Sequence, residues 1–259
     1  MSRSDLSRPD PAQPDRRPPN RRGLGTEIRA ATDLSTANRD EMYALFAHAY
    51  DGTDRARFDA DLAAKRDVLL LRTGRGRIAG FTTLAVIDAT DRGRPIRCVF
   101  SGDTLVDPAL WGTNALNFAW IRHLAAIRAE APATPLYWLL ISKGFRTYRY
   151  LSTFARHYVP RRDAPDDPAL VALRDRLATR LFGSAFDPGR GVVAHDPPRE
   201  RLAPALAGLP ETGRAAVEAR YFAQANPGYA QGQELVCLCP LDPDNMRPFA
   251  RRLYARALA

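Results

Sequence analysis

The stretch from Ile96 to Tyr158 constrains the fold of this chain more than any other. It opens with an apolar run, Ile96-Arg97-Cys98-Val99-Phe100, which continues through Ser101-Gly102-Asp103-Thr104-Leu105-Val106. A turn from Asp107 to Asn114 leads into a helical pattern from Ala115 to Arg128, and a second apolar strand follows from Leu136 to Ser142. After Lys143-Gly144 comes a basic, aromatic segment, Phe145 to Tyr158. Strand, turn, helix, strand and helix bring helix N-termini and the carboxyl ends of strands together. Open α/β sheets build their sites at such places.

Upstream, Thr26 to Ala31 reads as a first strand. Asp33 or Ser35 can cap the helix that follows, where Met42, Leu45, Phe46 and Ala49 share one stripe. A second helix over about residues 53–65 turns Phe58 and Leu62 inward. Val68 to Leu71 and Ile78 to Val86 then form a hairpin around Gly74-Arg75-Gly76-Arg77, and Asp91-Arg92-Gly93-Arg94 makes a second turn into the central strand. Beyond Pro160 the pattern predicts a helix over 167–182 with Leu170, Leu173, Leu177 and Leu181 on one stripe. A short strand at 191–195, helices over 202–206 and 211–225, a strand over 234–239 and a basic helix over 245–258 complete it.

This order resembles the Gcn5-related N-acetyltransferase (GNAT) superfamily. Val68 to Leu84 and Leu105-Val106-Asp107-Pro108 carry the resemblance, the latter like the family's Val-x-Pro at the end of its fourth strand. The resemblance implies an α/β (α+β) fold, with a mixed, mostly antiparallel sheet flanked by helices. Residues 26–160 would be its core. Residues 161–259 would add a helical insertion and the sixth and seventh strands. As an enzyme, such a protein moves an acyl group from a thioester donor, acyl-CoA or the phosphopantetheine of an acyl-carrier protein, to an amine of a small molecule.

The family's pyrophosphate loop is Gln/Arg-x-x-Gly-x-Gly/Ala, and this chain has Ala109-Leu110-Trp111-Gly112-Thr113-Asn114 there. Gly112 alone matches, so two readings stand. Either Gly112, Thr113 and Asn114 still offer backbone amides to an anion, or Asn114 caps an ordinary helix. By the resemblance, Leu105 and Val106 would contact the donor, Asp103 on the central strand would be the base, and Tyr150 would protonate the departing thiolate. Tyr148, two residues away, would face elsewhere. Asp103 could equally be a strand-end carboxylate bonded to local backbone. Each Tyr could equally be an aromatic core residue.

Lys143, Arg146, Arg149, Arg156, Arg161 and Arg162 form a basic run interleaved with aromatics, suited to an anionic donor or an acidic carrier protein, or simply to a solvated helix face. Lys65 and Lys143 are the only lysines among 38 basic residues, so the net charge of +9 is carried by arginine. No zinc-finger, helix-turn-helix or RNA-recognition signature accompanies that charge, so nucleic acid is not the expected partner. The scattered histidines show no zinc spacing. No apolar run is long enough to span a membrane. Cys98, Cys237 and Cys239 lie in apolar runs, which predicts reduced, buried thiols and a cytoplasmic protein. Residues 1–25, rich in Pro and Arg, read as a disordered tail. The alternative to an enzyme is a GNAT-fold binding or partner protein that has lost CoA. Acceptor identity and oligomeric state are not legible.

Overall fold

The computed structural model describes residues 23–258, so the expected tail over 1–25 lies outside the described residues except for its last three, of which Gly25 already belongs to the first strand. In chain order the elements begin with β1 (Gly25–Ala30), α1 (Thr36–Ala49), β2 (Tyr50–Asp51) and α2 (Arg55–Ala63). Next come β3 (Asp67–Arg72), β4 (Ile78–Asp91), β5 (Arg94–Val106), α3 (Ala115–Glu130), β6 (Leu136–Ser142) and α4 (Phe145–Phe154). The C-terminal part holds α5 (Pro168–Phe182), β7 (Phe186–Asp187), β8 (Val192–Val193), β9 (Arg201–Leu202), α6 (Pro204–Ala207), α7 (Gly213–Ala225), β10 (Glu234–Pro240) and α8 (Pro248–Leu258).

Eight strands form one sheet in the order β1-β3-β4-β5-β6-β10-β8-β7. Every pairing is antiparallel except β5 with β6. This is the mixed, mostly antiparallel sheet flanked by helices that was expected. The late strands β8 and β10 join it, β10 lying between β6 and β8.

Alternation along the strands explains the layers, since successive side chains point to opposite faces. In β3, Leu69 and Leu71 pack with α3, while Val68 and Leu70 pack with α1 and α2. In β10, Leu235, Cys237 and Cys239 join the α3 side, while Val236 and Leu238 face α5. The central strands are therefore apolar on both faces, as strands covered by helices on both sides must be. All three cysteines are free and buried within them.

Ser35, not Asp33, caps α1, its Oγ accepting from the Asn38 amide at 3.2 Å. Ser35→Ala is expected to cost about 1 kcal/mol, read as a lower urea midpoint with unchanged slope. Two local expectations are corrected. Leu181 is exposed at the end of α5, although Leu170, Leu173 and Leu177 are buried. The helix expected over 202–206 starts only at Pro204, because Arg201 and Leu202 pair with Asp51 and Tyr50 instead. That long-range pairing outweighs the local pattern.

Candidate active site

The site originates in a mismatch between neighbours of β5. Its parallel pairing with β6 runs from Arg97↔Leu136 to Ser101↔Leu140 and then stops. On its other side Thr82 pairs with Thr104 and Leu84 with Ser101, so Gly102 and Asp103 together oppose Thr83. That is a β-bulge, which bends the strand and re-aims a side chain. Meanwhile β6 continues along β10 to Ser142. The two central strands part, and a cavity of about 940 Å³ fills the gap. Its walls come from residues 102–108 of β5 and its following turn, the start of α3, the end of β6 with α4, the α1–α2 region, and residues 199–210.

Asp103 lines this cavity from the bulge. Among the described residues no group hydrogen-bonds to its carboxylate, so the expected alternative of an Asp tied to local backbone has no bond to support it. Burial pushes its carboxyl up to about 7, with the Lys143 ammonium pulling the other way. Tyr150 lines the same cavity, its ring stacked on Phe154 with centroids 5.7 Å apart. Burial raises its phenol, so it holds its proton at neutral pH. Tyr148 faces elsewhere: its hydroxyl donates to the Pro160 carbonyl at 3.1 Å and its ring packs on Phe222.

Leu105, Val106, Gly112, Thr113 and Asn114 all line the cavity, with Asn117 one turn into α3. Asn114 stands at the N-cap position of α3, but its side chain makes no capping bond. Among the described residues the amides of Ala115, Leu116 and Asn117 have no hydrogen-bond acceptor, as first-turn amides of a helix lack one within it. The Thr113 amide, expected to be free for an anion, instead donates to the Leu110 carbonyl at 3.1 Å. Gly112 has φ of 82°, a conformation that a side chain would strain. Trp111 lines the cavity with its ring partly exposed. Its indole N–H donates to the Val106 carbonyl at 3.0 Å, and the Arg146 guanidinium lies 3.9 Å from its ring centroid. Arg146 also donates to the Leu206 carbonyl at 3.0 Å.

The basic run divides. Arg146 and Arg149 line the cavity, whereas Arg161 pairs with Asp163 at 2.7 Å and Arg156 reaches the Met246 carbonyl. Lys143 is buried in the cavity wall between two carboxylates that sequence reasoning missed, Glu200 at 2.7 Å and Glu234 at 3.2 Å. Its ammonium also lies over the Tyr50 ring at 5.3 Å. Burial works against the Lys143 charge, but Glu234 and Glu200 outweigh it and its pKa is raised. Burial would raise Glu200, yet Lys143 holds it below the usual range; at Glu234 burial outweighs Lys143 and the carboxyl stays raised.

The C-terminal elaboration closes one side of the cavity. Besides the β2–β9 pairing, Glu200 reaches Arg57 at 3.5 Å, and Leu202 packs so closely on Gly144 that a Cβ there would lie 2.7 Å from it. Nothing local in the sequence signals this strap, because its partners lie some 60 to 150 residues away.

No protein-family model matches the sequence, and no curated protein does. Solved structures with a similar arrangement include a GNAT family N-acetyltransferase (YhbS) from Escherichia coli in complex with CoA, 15% identical, covering 57% of this chain and 72% of that one at a TM-score of 0.36. An acyl-CoA N-acyltransferase from Pseudomonas aeruginosa is 15% identical, covering 52% of this chain and 91% of that one at a TM-score of 0.38. A probable N-acyltransferase from Enterococcus faecalis V583 is 13% identical at a TM-score of 0.40, covering 52% of this chain and 33% of that one. At such identities and TM-scores the likeness says nothing about substrate or activity.

Proposed function

We propose that this chain is an N-acyltransferase of the GNAT type, taking an acyl group from a thioester donor to an amine of a small molecule. One observation carries the reading: an unpartnered carboxylate on a bulge of the central strand, raised to about 7, shares a cavity with a proton-bearing Tyr and an uncapped helix start. A general base works best with a pKa near the operating pH. The thioester supplies an electrophilic acyl carbon. Asp103 takes the proton from the amine, and Tyr150 gives one to the departing sulfur. The turn at Gly112 and Asn114 and the first turn of α3, with Arg146 and Arg149, suit the anionic end of the donor. Leu105 and Val106 would flank its arm. Lys143, already paired with two carboxylates, would shape the wall beside Asp103 rather than bind donor phosphate.

A second reading has its own observation. The Trp111 indole already holds the Val106 carbonyl and Arg146 stacks over it, which would suit a binding protein that no longer admits CoA. The test is release of free thiol from acetyl-CoA in the presence of primary amines, together with thermal melting in its presence. Donor at 100 times its Kd should stabilise the fold by about 2.7 kcal/mol. Tyr150→Phe should lower kcat by roughly 10²-fold without moving that melting shift. Binding of an acidic carrier protein, weakened by salt, with no response to CoA would transfer the donor role to the carrier-borne arm. No response to either would favour the binding protein.

A further inference from the structure

In a chain whose other basic residues are arginine or histidine, both lysines are buried and both line the same cavity. Lys143 has its carboxylate partners. Lys65 follows α2, and its ammonium donates to the Asp61 carboxylate at 2.5 Å and to the Asp61 carbonyl at 3.2 Å. A cation at a helix C-terminus needs no further purpose when it is exposed, but the Lys65 side chain is only 3% exposed while that of Asp61 is 50%. It is drawn inward, onto the bulge. A Cβ on Gly102 would lie 2.7 Å from the Lys65 Cε, 3.4 Å from its Nζ and 2.6 Å from the Thr83 Oγ1. The space that a side chain at residue 102 would fill is thus taken by the stem of Lys65 and by a buried Thr83 hydroxyl that has no hydrogen-bond partner among the described residues.

The groups facing Asp103 come from several elements: Lys143 at the end of β6, Asp61 and Lys65 from α2 and its end, Glu234 from β10 and Tyr50 from β2. The carboxylates oppose its ionisation and the lysines favour it. We propose that Lys65 is a positioning residue for Asp103, its stem holding the bulge through Gly102 and its ammonium supplying a fixed counter-charge to the carboxylate. This rests on the reading of Asp103 as the base, although its test needs no turnover.

The test is the titration of the Asp103 carboxyl carbon by NMR in the full chain. Lys65→Met keeps most of the stem but removes the cation and leaves Asp61 unneutralised, so the Asp103 midpoint should rise by about 1 pH unit. Asp61→Asn changes a half-exposed residue, frees the ammonium and should move the midpoint down. In the unmutated protein the Lys65 Nζ signal, one of only two lysine signals, should inflect at the Asp103 midpoint. A lysine that serves only to end α2 would leave both midpoints in place and show no inflection, which overturns the proposal. If Lys65→Met does not fold, Asp61→Asn and the lysine signal decide. Shifts of both signs in a protein that transfers no acyl group would sink the acyltransferase reading and leave Lys65 as assigned.

Discussion

Asp103→Asn is expected to lower kcat/KM by roughly 10²- to 10⁴-fold while leaving donor affinity nearly intact. Asparagine keeps the shape and cannot accept the amine proton. The donor elements at Gly112 to Asn114 and Arg146 lie on other segments and should not notice. In the unmutated protein the rate should rise with pH and reach half its plateau near 7, because Asp103 acts only when ionised. Stability should move the other way. The Asp103 pKa is raised above its unfolded value of about 3.9, so between these values the folded state binds more protons, and stability falls as pH rises through that window. Asp103→Asn removes this slope, so at pH values above the window the variant should melt no lower than the parent. A carboxylate serving only as a backbone acceptor would instead lose about 1 kcal/mol on mutation. Rate and melting measured across the same pH series separate the two.

Lys143→Met is expected to be the most destabilising single change named here. It leaves Glu200 and Glu234 without their shared cation in the buried cavity wall, and removing one partner of a buried ion pair typically costs about 3–5 kcal/mol. The loss should depend on pH. Burial already raises Glu234, and without the ammonium its carboxyl rises further. A folded pKa above the unfolded one means that the variant gains protons on folding at pH values between the two. Its deficit should therefore be largest in alkali and shrink as pH falls through the raised folded value. Urea unfolding at several pH values checks the sign. A deficit independent of pH would mean that Lys143 acts through packing alone.

Much of the architecture could be read in advance because local signals and packing agree. The strand, helix, strand and helix from Ile96 to Phe154 carry apolar runs, Gly-bearing turns and helical spacing that the structure satisfies. Asp103, Tyr150 and the segment from Leu105 to Asn114 were reachable by their place in that order, and they line one cavity. What escaped was non-local. Glu200 and Glu234 stand 34 residues apart in sequence, so nothing in either neighbourhood says that they share Lys143. Tyr50 and Leu202 pair in the cavity wall although each continues a helical pattern locally. The bulge depends on which residues of β4 oppose β5, and a single strand's sequence does not specify that register. One signal was available for the buried cluster: two lysines kept in an arginine-rich chain, one directly after a strand and one directly after a helix.

With CoA as the donor, the account stands on a thioester entering between β5 and β6 with its anionic end at the start of α3. The most direct measurement is an amide NMR titration of the full chain with CoA. Saturable shifts concentrated at Gly112 to Asn117 and at Leu105 and Val106, with the exposed Trp111 indole N–H moving as it releases the Val106 carbonyl, are the result expected. Shifts confined to other surfaces, or none at millimolar CoA, would contradict it.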